Sequence, residues 1–165
     1  MHSRVLLPQH YTKRPNSIFN SILIVCVGNI CRSPSAERIF KKKMPLMTIA
    51  SAGLQALVGH DIDESAASLL KLNGYDASPH AACKLNRMLI NQADLVFVME
   101  KSHQTLLMKK YPQASGKILL LGKWLGDADI HDPYGKSPEA FSYVFSQIEK
   151  SCSSWCKKLI INHHD

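Results

Sequence analysis

Cys26 and Arg32 stand six positions apart in the run Cys26-Val27-Gly28-Asn29-Ile30-Cys31-Arg32-Ser33-Pro34. A cysteine attacks as its thiolate, and a guanidinium offers a planar fork matched to two phosphate oxygens. Gly28 and Asn29 tolerate the left-handed backbone angles needed by a loop that wraps an anion. Ser33-Pro34 reads as a helix start, with Pro34 at the first helical position and Ser33 as its cap. A loop feeding a helix N-terminus gathers backbone N–H groups and the positive end of the helix dipole, which suits a phosphate-like anion. Val27, Gly28, Asn29, Ile30 and Cys31 would present those groups. The thiolate of Cys26 is itself an anion that they and Arg32 stabilise. Such a loop can hold a phosphoryl group and attack it. The bare spacing is weak evidence, since roughly one shuffle in seven of this composition would contain it. Its context, an apolar strand before and a helix start after, is what sets it against an ordinary strand end and a solvated arginine.

Phosphoryl transfer to a thiolate expels an alkoxide or phenoxide that needs a proton, so a carboxylic acid belongs near the mouth. Asp127, Asp129 and Asp132 lie in the irregular segment 122–135. Spacing does not choose among them, and Asp is also a common turn former. Asp132 precedes Pro133-Tyr134, a rigid turn that would fix its direction. His80 is placed to support the loop by hydrogen bonds or to be merely structural, while His60, His103 and His131 have no ligand-spaced partners. Cys152 and Cys156 fall on the apolar face of the last helix and read as core rather than as metal ligands with His163 and His164. Cys31, inside the loop, is either a small buried residue or a thiol able to capture an oxidised Cys26 as a disulfide.

These groups must be held by strands and helices, and the sequence alternates the two. Strands are expected over 21–26, 47–50 (closed by Ser51-Ala52-Gly53), 95–99 and 118–121. Helices are expected over 34–43, 63–72, within 81–92, over 102–110, and from Ser137-Pro138 to about Leu159. Residues 54–61 read as a loop. Strands that are almost wholly apolar, alternating with helices, predict an α/β single-domain parallel sheet with helices on both faces and the phosphate-binding loop after the first strand. In that architecture ligands bind at the carboxyl ends of strands, where both the Cys26–Arg32 loop and the aspartate segment emerge. Residues 1–20 lack periodicity and read as a flexible leader before a domain spanning 21–165.

The 165 residues, 45% hydrophobic and 20% charged, have the composition of one globular domain. No run is long enough to span a membrane, and the start lacks the apolar region of a secretory signal, so a cytoplasmic location without membrane insertion is expected. Five scattered cysteines suit reduced thiols. A net charge of +7 favours anionic partners. No aromatic-interleaved basic motif points to nucleic acid, and Lys41-Lys42-Lys43 reads as a solvated helix end.

The loop from Cys26 to Pro34, together with Asp132-Pro133-Tyr134, resembles the low-molecular-weight protein tyrosine phosphatases. Ser51-Ala52-Gly53, Leu57-Val58-Gly59, His80-Ala81-Ala82 and Met99-Glu100 agree, and the likeness runs from about Ser21 to the C-terminus. Residues 54–59 resemble the bacterial branch that acts with tyrosine autokinases of capsule and exopolysaccharide export. The resemblance implies hydrolysis of phosphotyrosine in proteins, without metal or cofactor, inhibited by phosphate-like oxyanions such as vanadate. It implies Cys26 as nucleophile, Arg32 as phosphate ligand, Ser33 as hydrogen-bond donor to the thiolate, and Asp132 as general acid and base. Asn29 would hold the loop's shape, Ser51 and His80 would support it, and Tyr134 would line the mouth. Two positions depart from the family pattern. Ala50 stands where many relatives carry an acid, and Cys83-Lys84 where many carry Arg-Gln. Arsenate reductases share the loop but need an additional cysteine pair, and arginine phosphatases carry Thr where Ile30 stands. A non-catalytic phosphotyrosine-binding module would need neither Cys26 nor Asp132, and a sugar-transport phosphocarrier would not need Arg32.

Overall fold

The computed structural model describes residues 19–161. Strands β1 (Ser21–Cys26), β2 (Thr48–Gly53), β3 (Leu95–Val98) and β4 (Ile118–Leu120) form one sheet in the order β2-β1-β3-β4. All three pairings are parallel. Alternate residues of β1 serve two cores, as the pleat requires. Ile22, Ile24 and Cys26 face α1 (Arg32–Lys43), α2 (Glu64–Leu72) and α5 (Pro138–Ile161). Leu23 and Val25 face the layer of α3 (Arg87–Gln92) and α4 (Lys101–Lys110). The expected single parallel sheet, covered on both faces, is the fold observed.

The first layer is pinned by aromatics. Phe97 of β3 stacks on Phe40 of α1 at 5.7 Å and lies 4.5 Å from Trp155 of α5. The indole N–H of Trp155 donates to Leu121 O at 2.9 Å, so its polar edge is satisfied inside the core. Cys152 and Cys156 are buried beside it, as the apolar stripe of α5 predicts. Burial holds both thiols protonated, raising Cys152 well above the usual range and Cys156 to about 12.

Several boundaries differ from expectation for physical reasons. β2 runs on through Gly53, because β1 keeps pairing with it as far as Cys26. A Cβ on Gly53 would lie 2.5 Å from Val27 O, so only glycine admits this approach to the loop. The helix expected within 81–92 occupies only Arg87–Gln92. Before it the chain is extended along Gly53, with Gly53 N–H on Cys83 O and Leu85 N–H on Gly53 O, both at 2.9 Å. The strands expected to end at Met99 and Leu121 stop one residue sooner, and 3-10 turns at Pro112–Lys117 and Lys123–Leu125 flank β4.

The first helix starts at Arg32 rather than Pro34, with Cys31 at the cap position and no side-chain cap bond. Pro34 therefore sits third in the helix, still within the first turn where its missing N–H costs no intrahelical bond. Ser33 is not a cap; its hydroxyl is used elsewhere. The leader expected over 1–20 lies outside the described residues except for its last two. Phe19 packs against the core, and the Asn20 backbone N–H donates to Asp94 while its carbonyl accepts from Thr48 N–H.

Candidate active site

Five successive carbonyls of the loop are drawn outward by five different donors. Cys26, Val27 and Gly28 O accept from the N–H groups of Leu54, Gln55 and Leu57 at 2.8, 3.0 and 3.0 Å. Asn29 O accepts from His80 Nε2 at 2.8 Å, and Ile30 O from Asp63 N–H at 2.8 Å. Because each peptide unit is trans, carbonyls held outward turn the N–H groups to the inner side. This is how a neutral backbone makes an anion cradle. The carbonyl can only accept, so His80 carries its proton on Nε2. Asp61 holds the other end of His80 through its backbone N–H at 2.9 Å.

Asn29 takes the left-handed backbone conformation, φ 58°, while Gly28, expected to share it, does not. The Asn29 side chain is completely buried and fully bonded. Its Oδ1 accepts from Cys83 N–H at 2.9 Å, which fixes the amide orientation. Its Nδ2 then donates to Ser33 Oγ and Ser51 Oγ, each at 2.9 Å. The Ser51 hydroxyl in turn donates to Glu37 Oε2 at 2.7 Å. Ser33 Oγ lies 2.8 Å from Cys26 Sγ. With one lone pair occupied by Asn29, the single hydroxyl proton of Ser33 is free for the sulfur. Asn29 N–H also reaches Cys26 Sγ at 3.3 Å.

Arg32 is only 2% exposed, and a buried guanidinium requires partners. Its Nη1 donates to Glu100 Oε1 at 2.8 Å and to Ile130 O at 2.9 Å. Its Nη2 lies 3.6 Å from Asp132 Oδ2. The other oxygen of Asp132 accepts from Tyr134 N–H at 3.1 Å, the turn contact that aims the carboxylate. The three candidate aspartates part company here. Asp129 accepts from Lys101 N–H at the start of α4, and Asp127 sits in a left-handed turn, φ 54°. Asp132 alone of the three lines the pocket of about 210 Å³ formed by loop residues 26–32 with Gln55, Leu57 and Tyr134.

The expected residues thus converge: Cys26, the loop, Arg32, Asp132 and Tyr134 in one pocket, with Ser33, Ser51 and His80 behind it. Sequence reasoning gave four others no role in the site, although Leu57 and Glu100 stood among the matching motifs. Gln55 and Leu57 follow β2 and Glu100 follows β3, all at the carboxyl edge of the sheet, which is the signal that could have found them. Glu37 lies one helical turn after Ser33 on α1, a spacing that places two side chains on one face. It also bears on the departure at Ala50, because the carboxylate at Ser51 comes from α1. At Cys83 the contact with Asn29 is made by the backbone and does not depend on the side chain. Cys31 is buried, and that burial, followed by Asp63 and Asp132, holds its thiol protonated.

A family model described as low molecular weight phosphotyrosine protein phosphatase matches residues 21–164. The chain belongs to this family. The phosphatase Wzb of Salmonella typhimurium is 43% identical over 142 residues, covering 86% of this chain and 95% of that one. The crystal structure of Wzb from Escherichia coli K30 with sulphate superposes with a TM-score of 0.83 at 43% identity, covering 86% and 99% of the two chains. Vibrio vulnificus Wzb with benzylphosphonate gives a TM-score of 0.82 at 44% identity, covering 85% and 99%. The low-molecular-weight phosphatase fold accounts for nearly the whole of the described chain.

Proposed function

We propose that this phosphatase hydrolyses phosphotyrosine in proteins through a phosphocysteine on Cys26. The observation that carries the reading is Asp132 and Cys26 lining one pocket, with Arg32 beside the acid. Cys26 Sγ attacks phosphorus; the S–P bond forms as the P–O bond to the phenol breaks, and Asp132 gives its proton to the departing oxygen. The loop N–H groups and the free edge of the Arg32 fork take the charge of the transferring phosphoryl group. Water then attacks phosphorus, Asp132 takes its proton, and the thiolate leaves toward the Ser33 hydroxyl. Cys26 Sγ has the Ser33 hydroxyl at 2.8 Å and the Asn29 N–H at 3.3 Å, contacts that favour a thiolate and support it as the nucleophile.

Ile30 favours phosphotyrosine over phosphoarginine, and Leu57 with Tyr134 gives the pocket apolar walls for an aryl ring. Burial of Cys152 and Cys156 speaks against an arsenate relay, which would need them to move and react. The benzylphosphonate and sulphate complexes of the relatives support binding of phosphate-like oxyanions here, and vanadate should inhibit. The target we favour is a tyrosine autokinase of capsule or exopolysaccharide export, met in the cytoplasm, where a thiol nucleophile stays reduced. Among the described residues no helix is long and apolar enough to cross a membrane.

The test is a substrate panel of phosphotyrosine, phosphoarginine and arsenate on the wild type and on Cys26→Ser. Phosphotyrosine should be turned over fastest, and the variant should bind phosphate without turnover. Wild-type rates in Cys26→Ser, or arsenate as the best substrate, would overturn the reading.

A further inference from the structure

Lysines that the reaction does not use gather outside the pocket, where the end of α1, the turn Lys123–Leu125 and the second half of α5 meet. Lys43, Lys150 and Lys157 line an open groove of about 370 Å³ together with Leu125. Lys123 and Lys158 place their ammonium groups over the ring of Trp124, 5.5 and 4.5 Å from its centroid. That ring stands edge-on against the core Trp155 at 5.6 Å, so its position is fixed although it is 42% exposed. Leu125 is 36% exposed. Among the described residues Glu149 lines the same groove and already accepts from the Tyr75 hydroxyl, and Asp127 lies two positions after Leu125. From Lys150 to Ile161 α5 carries no acid at all. None of these residues lines the Cys26 pocket.

Cations beside a fixed, half-exposed indole and the exposed Leu125 side chain call for an occupant that is anionic and also apolar just below its surface. An acidic protein segment answers the lysines but meets Trp124 and Leu125 only if it carries apolar side chains at matching positions. A nucleic-acid strand would want a series of aromatics to stack its bases, and among the described residues Trp124 is the one ring these lysines cover. A bilayer with anionic headgroups answers both, since lysines hold to its surface charge and Trp rests at headgroup depth. We infer that this face docks peripherally on an anionic membrane surface. The inference goes beyond the proposed reaction and does not depend on it.

The full chain, without substrate, is sedimented with vesicles of phosphatidylcholine alone and of phosphatidylcholine with phosphatidylglycerol, at low and high ionic strength. Binding should require the anionic lipid and vanish at high salt, where the Debye length becomes short. Each lysine at such a surface is worth about fivefold in partitioning, so Lys123→Gln/Lys157→Gln/Lys158→Gln should bind roughly a hundredfold more weakly. The same variant should hydrolyse a soluble aryl phosphate at the wild-type rate. If it fails to fold, Lys157→Gln alone should still show about the fivefold loss. Tryptophan emission should shift to the blue on binding, and Trp124→Phe should remove that shift. The inference is overturned by absence of binding to anionic vesicles at low salt or by undiminished binding of the lysine variants. An emission shift that survives Trp124→Phe would overturn it equally.

Discussion

Asn29 Nδ2 reaches Ser33 and Ser51, its Oδ1 takes Cys83 N–H, and its backbone stands at a positive φ. Alanine there removes three hydrogen bonds, leaves buried partners unsatisfied and keeps the backbone strain. Asn29→Ala should destabilise the protein by about 2–4 kcal/mol, read by urea unfolding, and lower kcat at least about tenfold. Asn29→Gly relieves the strain alone, so it should recover part of the stability and little of the rate. At the acid, Asp132→Ala should lower kcat by about 10²–10⁴ for an aryl phosphate with a poor leaving group and much less for an activated one. Equal losses would move the acid to Asp127 or Asp129. The sequence revealed Cys26 and Arg32 because their chemistry is local to one loop. The choice of Asp132 came from resemblance, since the turn chemistry of three aspartates is alike until the fold separates them. Glu37 and Glu100 stayed hidden because each acquires its role from a partner far along the chain, 14 residues away at Ser51 and 68 at Arg32.

Among the elements, the segment after β2 acts as a clamp on the phosphate loop. Leu54, Gln55 and Leu57 hold three of its carbonyls, and Gly53 lets the two backbones approach. Gly53→Ala forces a methyl group against Val27 O and should cost about 1–3 kcal/mol. It should also weaken phosphate binding, seen as a smaller rise in Tm when phosphate is added, because the cradle is displaced. A variant with unchanged phosphate protection would contradict the clamp. The strands and long helices were legible because their apolar periodicity is imposed by two-sided burial. The extended stretch 81–86 was not, because it is held by bonds to Gly53 and Asn29 rather than by a pattern of its own.

Across the whole molecule, exposed carboxylates tie loops to the frame in a way that acid should undo. The His80 backbone N–H, then that of Ile62, holds Asp61 below the usual carboxylate range; Ser78, through its backbone and then its hydroxyl, does the same for Asp76. A depressed folded pKa means the unfolded chain takes up the proton first. Their contribution is therefore complete above the ordinary Asp value of about 3.9 and is lost as pH falls through the folded values. The Tm should drop through that window, and Asp61→Asn/Asp76→Asn should drop less steeply; an identical acid slope would contradict the assignment.

The central claim is that Cys26 carries the phosphoryl group between two half-reactions. Rapid acid quenching during turnover of an aryl phosphate, followed by mass spectrometry of the digested protein, tests it directly. The account predicts one added phosphoryl mass on the peptide bearing Cys26, localised to that sulfur, and none in Cys26→Ser. An adduct localised to Cys31, or full turnover in Cys26→Ser, would contradict it.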